Sequence, residues 1–379
     1  MIVKTPPMGW NSWNTFGPNI NEALIKETAD AMVETGLRDA GYEYLVIDDC
    51  WSLRQRNEKG ELVADPEKFP SGMKAVADYV HSKGLKFGMY SCNGTLTCAR
   101  YPASFDHEFV DAKTFASWGV DFLKYDNCNR PDNFPGRLLY KRMGLALANC
   151  GRDILFSACN WGWDGSPEWI KETGAHMWRS TGDINDSWQS VVDLTKAQFE
   201  KFKTNGQGCF NDMDMLIVGM HGKGNVAVSG CTDTEYKTHF SLWAFLGSPL
   251  MIGCDVRNMT EETKQILMNK DIIALNQDGA YRQPFLIDTL HDGLLPWTAW
   301  VRFLENGDVA IGFFNLGDTP VNPCLSLTDI GLGYASGKAL ELTELWTGQK
   351  MGTFRDEFTE GVLAPHDCRV YRGKVVDAR

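Results

Sequence analysis

The sequence predicts an α/β protein, a (β/α)8 TIM barrel with a C-terminal antiparallel β-sandwich. Short apolar segments alternate with segments of helical periodicity over the first three quarters of the chain. After about Asp278 the pattern changes to closely spaced strands and turns. The chain has 379 residues, more than the roughly 250–300 residues that one hydrophobic core usually serves, so we expect two domains, residues 1–282 and 283–379.

Eight strand segments predict the barrel. They are short and nearly continuous in apolar residues, as expected for parallel strands that are covered on both faces. The four clearest segments are 44–49, 86–90, 121–126 and 154–159, and the four weaker ones are 8–13, 175–179, 209–215 and 248–253. A doubly wound sheet would have fewer strands and a glycine-rich phosphate-binding turn after the first strand, and the sequence has no such turn.

Helix signals lie between the strands. One apolar stripe at helical spacing consists of Met73, Val76, Ala77 and Val80. Gly84 follows this stripe and predicts the end of that helix. Asn19, three residues before Glu22, predicts the N-cap of the first long helix.

The C-terminal part of the chain alternates short β segments with turns. The predicted strands are 299–304, 309–314, 339–346 and 368–371. The Asn306-Gly307 pair between two of these segments is typical of a β-hairpin. Several strands at this spacing predict a small antiparallel sandwich.

Composition and charge exclude several classes of protein. Hydrophobic residues make up 43% and charged residues 23% of the chain, which is a globular balance. The formal net charge of −12 would repel nucleic acid and anionic lipid, so we expect neither as a partner and favour a small neutral substrate. The sequence has no apolar window of membrane-helix length and no apolar leader, so we expect a cytoplasmic protein.

Cysteine and histidine patterns bear on metal binding. The 11 cysteines are an odd number, and with no leader we expect most of them to be thiols. The 7 histidines are scattered singly, and no pair of Cys-x-x-Cys motifs occurs. The sequence therefore predicts neither a metal site nor a cofactor.

Aspartates follow most of the predicted strands, where a (β/α)8 barrel carries its reactive groups. They are Asp48, Asp49, Asp126, Asp183, Asp212 and Asp214. The aromatic residues near the strand ends are Trp10, Trp13, Trp51, Tyr90, Trp161 and Trp163. Carboxylates can bind sugar hydroxyls, an indole face can cover the apolar side of a sugar ring, and glycoside hydrolysis needs two carboxyl groups. The pattern favours a site for a neutral sugar.

Five motifs in order resemble the signatures of glycoside hydrolase family 27, the α-galactosidases and α-N-acetylgalactosaminidases of clan D. They are Met8-Gly-Trp-Asn-Ser-Trp13, Ile47-Asp-Asp-Cys-Trp51, Lys124-Tyr-Asp126, Trp178-Arg179 with Asp183, and Asn211-Asp-Met-Asp-Met215. The resemblance covers nearly the whole barrel, and the family also has a C-terminal sandwich. It implies a metal-independent, retaining, exo-acting α-galactosidase that works by double displacement through a covalent galactosyl-enzyme.

The resemblance also implies the catalytic residues. Asp126 would be the nucleophile, and Asp183 would be the acid that protonates the leaving oxygen and then the base that activates water. In a retaining enzyme the two carboxyl groups stand about 5–5.5 Å apart. Independently of the family, Lys124 lies two residues before Asp126, so both side chains point to one face of the strand, and we expect Lys124 to bind hydroxyls and to keep Asp126 ionised.

By the same resemblance, further residues would bind galactose. Asp48 and Asp49 would bind the C4 and C6 hydroxyls, and Arg179 and Asp214 would hold the C2 and C3 side. Trp10, Tyr90 and Met215 would line the pocket together with Lys124, Cys159 and Trp161.

Two positions leave alternatives open. Asn160 stands where many relatives have glutamate and others serine, so the sequence leaves the specificity for the C2 substituent open. An amide can still bind a 2-hydroxyl. The family often has a disulfide at positions that match Cys98 and Cys128, but a reducing compartment opposes the bond and Cys92 is a competing partner.

The sequence leaves other functions open. On the same scaffold they are α-N-acetylgalactosaminidase, favoured if Asn160 leaves room for an acetamide, and β-L-arabinopyranosidase, which the intact Asp48-Asp49 pair disfavours. A non-catalytic carbohydrate-binding protein is the rival from another class. A homo-oligomer stays open, since no interface patch can be identified from the sequence.

Overall fold

The eight predicted strand segments form one parallel sheet in the computed structural model, which describes residues 2–199, 201–287 and 297–378. The strands are β1 (Met8–Asn11), β2 (Tyr44–Val46), β3 (Lys86–Cys92), β4 (Phe122–Asp126), β5 (Leu155–Ala158), β6 (Met177–Arg179), β7 (Phe210–Asp212) and β8 (Leu250–Ile252). Their order in the sheet is β8-β1-β2-β3-β4-β5-β6-β7. The predicted TIM barrel is therefore confirmed.

The barrel closes just beyond the end of β7. The backbone N–H of Leu216 donates to the carbonyl of Met251 at 2.7 Å, and the Leu216 carbonyl accepts the N–H of Gly253 at 2.9 Å. These bonds join the segment after β7 to β8 in parallel register. The strand ends consequently form a ring on which loop side chains can converge.

Helices occupy the segments between the strands. They are α1 (Trp13–Phe16), α2 (Glu22–Glu34), α3 (Gly72–Ser82), α4 (Glu108–Trp118), α5 (Gly136–Ala148), α6 (Ser166–Trp169), α7 (Trp188–Gln198), α8 (Asp233–Phe245), α9 (Glu261–Leu267) and α10 (Lys270–Asn276). The predicted apolar stripe of α3 is wholly buried, and Gly84 follows the helix with φ +73°.

The predicted N-cap of α2 was wrong. Asn21, not Asn19, caps the helix, and its side chain accepts the N–H of Leu24 at 2.9 Å. Asn21 has the extended backbone that a cap requires, with φ −157°, and Glu22 is already the first helical residue. Instead of completing a capping box, the Glu22 carboxylate binds Lys26 at 2.5 Å and the N–H of Ser71 at 3.0 Å.

The predicted antiparallel sandwich is confirmed in the C-terminal part. Its strands are β9 (Phe285–Leu286), β10 (Trp297–Phe303), β11 (Val309–Asn315), β12 (Cys324–Ser326), β13 (Lys338–Glu344), β14 (Lys350–Phe354), β15 (Glu357–Thr359) and β16 (Cys368–Asp377). One sheet has the order β9-β10-β11-β16-β13-β14, and the second pairs β12 with β15. The predicted hairpin between β10 and β11 is present, with Gly307 at φ +85°.

The sandwich packs against helix α8 of the barrel. The rings of Phe245 and Phe314 lie 6.0 Å apart, and Lys237 forms an ion pair with Asp367 at 2.5 Å. The division of the chain at residues 282 and 283 stays a prediction. Among the described residues, no helix has both the length and the apolar character that crossing a bilayer requires.

Candidate active site

A cavity of about 190 Å³ lies at the carboxyl ends of the barrel strands. Its walls combine aspartates, two cations and aromatic or aliphatic side chains. They are Trp13, Asn14, Asp48, Asp49, Tyr90, Cys98, Lys124, Asp126, Cys128, Trp161, Arg179, Asp183, Ile184, Asp214, Met215 and Val226. The cavity is small and open on one side, and it combines charged groups with apolar surface, as a site for one sugar ring should.

Asp126 ends strand β4 at the floor of this cavity and is only 7% exposed. One carboxylate oxygen accepts the N–H of Asn127 at 2.9 Å, and the other accepts the hydroxyl of Tyr90 at 3.0 Å. Burial raises the pKa of Asp126 to about 6, although the Lys124 charge lowers it in part. The carboxyl group is therefore fixed in direction and poorly solvated, which suits a nucleophile.

Lys124 binds Asp48 rather than Asp126. Its Nζ lies 2.8 Å from Oδ2 of Asp48, and the same oxygen accepts Nδ2 of Asn11 at 2.8 Å. Burial lowers the pKa of Lys124, but Asp48 together with the other acidic groups around the cavity outweighs burial and keeps the pKa above its ordinary value. Lys124 and Asp48 thus present a fixed pair of donor and acceptor groups to the cavity.

Asp49 lies beside this pair. Its Oδ1 accepts the N–H of Cys50 at 2.7 Å, and its Oδ2 accepts the N–H of Ala99 at 3.0 Å. Burial raises the pKa of Asp49, while these bonds pull it down. The carboxylate keeps lone pairs available for hydroxyl groups.

The disulfide that the family resemblance suggested is present between Cys98 and Cys128. Both residues line the cavity, and the Tyr90 hydroxyl lies 3.2 Å from Sγ of Cys98. Cys92, the competing partner, is a buried thiol that donates to the carbonyl of Cys128 at 3.1 Å. Of the described residues, only Cys98, Cys128 and Asp126 bring three potential metal-ligating side chains together. The two sulfurs are bonded to each other, so the group offers one carboxylate and no thiolate.

Arg179 joins two carboxylates on the other side of the cavity. Its Nη2 lies 2.8 Å from Asp183, and its Nη1 lies 3.0 Å from Asp214. Asp214 also accepts the N–H of Ile184 at 2.7 Å, which ties the segment carrying Asp183 to the segment after β7. The side chain of Asp183 is 77% exposed, whereas Arg179 and Asp214 are almost fully buried. Asp183 thus stands at the open side of the cavity.

The pKa values of the two predicted catalytic carboxyls move in opposite directions. Burial raises the pKa of Asp183, but the charge of Arg179, its hydrogen bond and the Lys124 charge together outweigh burial, and the pKa is lowered from 3.8. The Asp183 charge in turn is one of the causes that raise the pKa of Asp126. The pair therefore combines a carboxyl group that keeps its proton up to about pH 6 with one that is ionised at lower pH.

Asp212 was named in the sequence as a strand-end aspartate but not as a binding residue, and the structure places it below the cavity. Its Oδ1 accepts the N–H of Asp214 at 2.9 Å, where Asp214 takes an unusual φ of +81°. Burial raises the pKa of Asp212 to about 6, while the Arg179 charge lowers it. Asp212 supports the backbone that presents Asp214.

Three residues predicted to bind the sugar are not among those that line the cavity. Trp10 is fully buried, and its indole N–H donates to the carbonyl of Cys254 at 2.9 Å. Cys159 lies behind Arg179, with its Sγ 3.7 Å from Nη1. Asn160 is also fully buried, and its Nδ2 donates to the carbonyl of Trp163 at 3.1 Å. Their contact with substrate stays a prediction.

The structure brings four further side chains to the cavity wall: Trp13, Asn14, Ile184 and Val226. Trp13 is the last residue of the first motif and Asn14 follows it, so their position after β1 was a usable signal. Ile184 and Val226 lie in loops far apart in sequence, and no local pattern marks them.

Two α-galactosidase family models match this chain. A family model described as α-galactosidase A matches residues 5–278, and a model described as the α-galactosidase C-terminal β-sandwich domain matches residues 296–372. The α-galactosidase of Cyamopsis tetragonoloba is 42% identical over 371 residues, which cover 98% of this chain and 86% of the relative.

Solved structures agree with the sequence comparison. α-Galactosidase I of Mortierella vinacea is 35% identical with a TM-score of 0.89, and 98% of this chain matches 97% of that one. A Saccharomyces cerevisiae α-galactosidase solved with raffinose is 30% identical with a TM-score of 0.90, and the match covers 98% of each chain. The family match extends over nearly the whole chain and agrees with the barrel, the sandwich and the carboxylate-lined cavity. This chain therefore belongs to the α-galactosidases of glycoside hydrolase family 27 and is a glycoside hydrolase.

Proposed function

We propose that this enzyme releases terminal α-linked galactose by double displacement with retention at the anomeric carbon. The observation that carries the proposal is the placement of Asp126 and Asp183 on one small cavity, with Asp126 on the floor and Asp183 at the open side. A sugar seated in the cavity would direct its anomeric carbon at Asp126 and its leaving oxygen at Asp183.

The first half-reaction transfers galactose to the enzyme. An oxygen of Asp126 attacks the anomeric carbon while the bond to the leaving oxygen breaks, and Asp183 donates its proton to that oxygen. In the second half-reaction Asp183 takes a proton from water, water attacks the same carbon, and the ester bond to Asp126 breaks. The bonds from Asn127 and Tyr90 aim the Asp126 carboxylate in both steps.

The other polar groups would select galactose. Asp48, Asp49 and Lys124 would bind the C4 and C6 hydroxyls, and Arg179 and Asp214 would bind the C2 and C3 side. Bonds to each other and to backbone N–H groups hold these side chains in fixed positions. A sugar with the wrong stereochemistry would leave some of these buried polar groups without a hydroxyl partner, at a cost of about 1–3 kcal/mol for each lost hydrogen bond. Tyr90 and Met215 complete the walls around the ring.

We further propose that short neutral α-galactosides of the raffinose type are substrates. A relative with 30% identity was solved with raffinose, and the cavity has the size of one sugar ring with an open side for the remaining units. A cytoplasmic location would suit such a load and the nine free thiols, whereas the Cys98–Cys128 disulfide favours an oxidising compartment. Cell fractionation with an antibody against the chain would test the location.

Initial rates on matched p-nitrophenyl α-galactoside, α-N-acetylgalactosaminide and β-L-arabinopyranoside test the specificity. A dominant galactoside rate is expected. A dominant rate on either other glycoside would keep the scaffold but overturn the assignment of the C2 or C6 side, and no rate on any of the three would favour a binding protein.

Proton NMR tests the mechanism. α-Galactose should appear as the first product, and β-galactose appearing first would rule out double displacement. Asp126→Asn should abolish turnover while galactose binding, followed by calorimetry, persists. Hydrolysis at the wild-type rate in that variant would remove Asp126 from the nucleophile role.

A further inference from the structure

The loop after β5 presents a large indole ring to solvent beside the cavity. Trp163 is 60% exposed, and its ring lies 5.0 Å from the ring of Trp161 at an interplanar angle of 71°. Trp161 itself lines the cavity. The wall of the cavity therefore continues outward into an exposed aromatic surface, which is a feature typical of binding sites.

Asn160 closes the turn that holds Trp163. The backbone N–H of Trp163 donates to the carbonyl of Asn160 at 3.1 Å, and the Asn160 side chain donates back to the carbonyl of Trp163 at 3.1 Å. Because Asn160 is fully buried, both bonds are shielded from water. These two hydrogen bonds fix the start of the loop.

The other end of the loop is fixed as well. The Asp164 carboxylate forms an ion pair with Arg130, and the Asp164 carbonyl accepts the indole N–H of Trp169 at 2.8 Å. Trp163 is thus exposed on a loop that is held at both of its ends.

The backbone of this loop is strained. Trp161 and Asp164 have positive φ values of +59° and +58°, in a region that non-glycine residues rarely adopt. Such conformations cost free energy and persist where the surroundings hold them, most often at functional sites.

Gly162 brings the loop against the segment that carries Asp183. A Cβ at Gly162 would lie 2.5 Å from the carbonyl of Ser180, so only glycine allows this approach. Ser180 is three residues before Asp183, whose exposed carboxyl group marks the open side of the cavity. The leaving group of the substrate must pass this side, because Asp183 has to reach the leaving oxygen.

We propose that Trp163 is the platform on which the sugar unit attached to the galactose stacks, a subsite for the leaving group. This inference rests on the proposed function and adds the part of the substrate that lies outside the cavity. The indole face would cover the apolar C–H face of a neutral pyranose ring, while the hydroxyls of that ring stay in water. The subsite would favour oligosaccharides over simple galactosides.

Trp163→Ala is tested with two substrates that differ in the leaving group. Raffinose carries a saccharide there, and α-galactosyl fluoride carries a single atom that cannot reach the platform. The variant should lose about three- to tenfold in kcat/KM on raffinose and stay within about twofold of wild type on the fluoride. Trp163→Phe, which keeps an aromatic face, should recover most of the raffinose rate.

Tyr334→Ala is the matched control, because Tyr334 is an aromatic residue 76% exposed in the sandwich, and its removal should change neither rate. An equal loss on both substrates would show that Trp163 supports the cavity rather than a subsite. No loss on raffinose would refute the platform. If wild type hydrolyses neither substrate, the proposed function fails before the subsite is in question.

Discussion

At the scale of single residues, Asp126 and Asp183 share one proton over a limited pH range. The pKa of Asp126 is raised to about 6 by burial, and the pKa of Asp183 is lowered from 3.8 by Arg179. Catalysis needs Asp126 ionised and Asp183 protonated, so the productive form exists only where the pair carries one proton. We expect kcat/KM on an unactivated galactoside to fall above pH about 6 and again below the pKa of Asp183, which lies under its ordinary value of 3.8.

A second substrate separates the two limbs of this pH profile. An activated aryl galactoside has a leaving group that departs without a proton, so its kcat/KM should not fall above pH about 6, the value to which the pKa of Asp126 is raised. A fall of equal size on both substrates would show that the limb reports something other than the proton on the pair. Enzyme incubated at each pH and assayed at pH 5.5 controls for inactivation.

Burial of the Asp126 charge should also cost stability. The carboxyl group binds its proton more tightly in the folded protein than in the unfolded chain, since its pKa rises from 3.8 to about 6 on folding. The cost is therefore absent below pH about 4, grows as the pH rises to about 6, and is complete above that. Asp126→Asn should be more stable than wild type at pH 8 by on the order of 1–3 kcal/mol.

Urea denaturation at pH 8 and pH 4.5 measures this difference. The gain in the free energy of unfolding should shrink strongly at pH 4.5, where the wild-type carboxyl binds a proton. Asp78→Asn is the control, because Asp78 is an exposed partner of Lys74 on the surface of α3. A gain that is the same at both pH values would assign the effect to packing rather than to the buried charge.

At the scale of elements, the disulfide ties the loop after β3 to the loop after β4. Cys98 precedes Ala99, whose N–H binds Asp49, and Cys128 lies two residues beyond Asp126. The bond closes a loop with a sequence separation of 30. Its loss should cost about 2–4 kcal/mol of stability and raise the KM for galactosides, because both carboxylates lose a fixed support.

The double variant Cys98→Ala/Cys128→Ala tests this expectation by urea denaturation and steady-state kinetics. Cys324→Ala is the control, because Cys324 is an exposed free thiol in the sandwich and should change neither quantity. A double variant with wild-type stability and KM would show that the bond is dispensable. Reduction of wild type with dithiothreitol should reproduce the phenotype of the variant.

The sequence predicted the elements better than their ends. The predicted strand 44–49 stops at Val46, because Asp48 and Asp49 leave the sheet to accept backbone N–H groups at the cavity. An apolar run followed by aspartates predicts a strand and a site, but it does not show where the backbone turns. The cap of α2 was misplaced by two residues for a similar reason, since both Asn19 and Asn21 suit the position and only the extended backbone of Asn21 decides it.

The residues of the candidate site that lie in sequence motifs could be predicted, and most of them line the cavity. Every motif aspartate named for substrate or catalysis lines the cavity, because each lies at or beyond the carboxyl end of a barrel strand. Trp10 was placed in the pocket by its motif alone, yet its indole N–H donates to the carbonyl of Cys254, just after the neighbouring strand β8. That contact joins residues 244 positions apart, so it follows from packing rather than from any local pattern.

At the scale of the whole molecule, helix α8 packs in the barrel and also contacts the C-terminal sandwich. Thr238 donates to the carbonyl of His366, the indole N–H of Trp346 donates to Ser241 at 3.1 Å, and the ring of Phe245 meets that of Phe314. The sandwich therefore covers a face of the barrel that would otherwise be exposed. We expect the two parts of the chain to unfold together, because the barrel core continues into strands of the sandwich.

Phe313 and Phe314 provide a matched pair for this last prediction. They are neighbours on strand β11 and point to opposite faces, so Phe313 packs with Phe358 and Tyr371 inside the sandwich while Phe314 packs on α8. Each truncation to alanine should cost about 3–5 kcal/mol. If the molecule unfolds as one unit, calorimetry shows a single transition that both variants lower. Two transitions, of which Phe313→Ala lowers only one, would show that the sandwich unfolds by itself and that its contact with α8 adds little to the stability of the barrel.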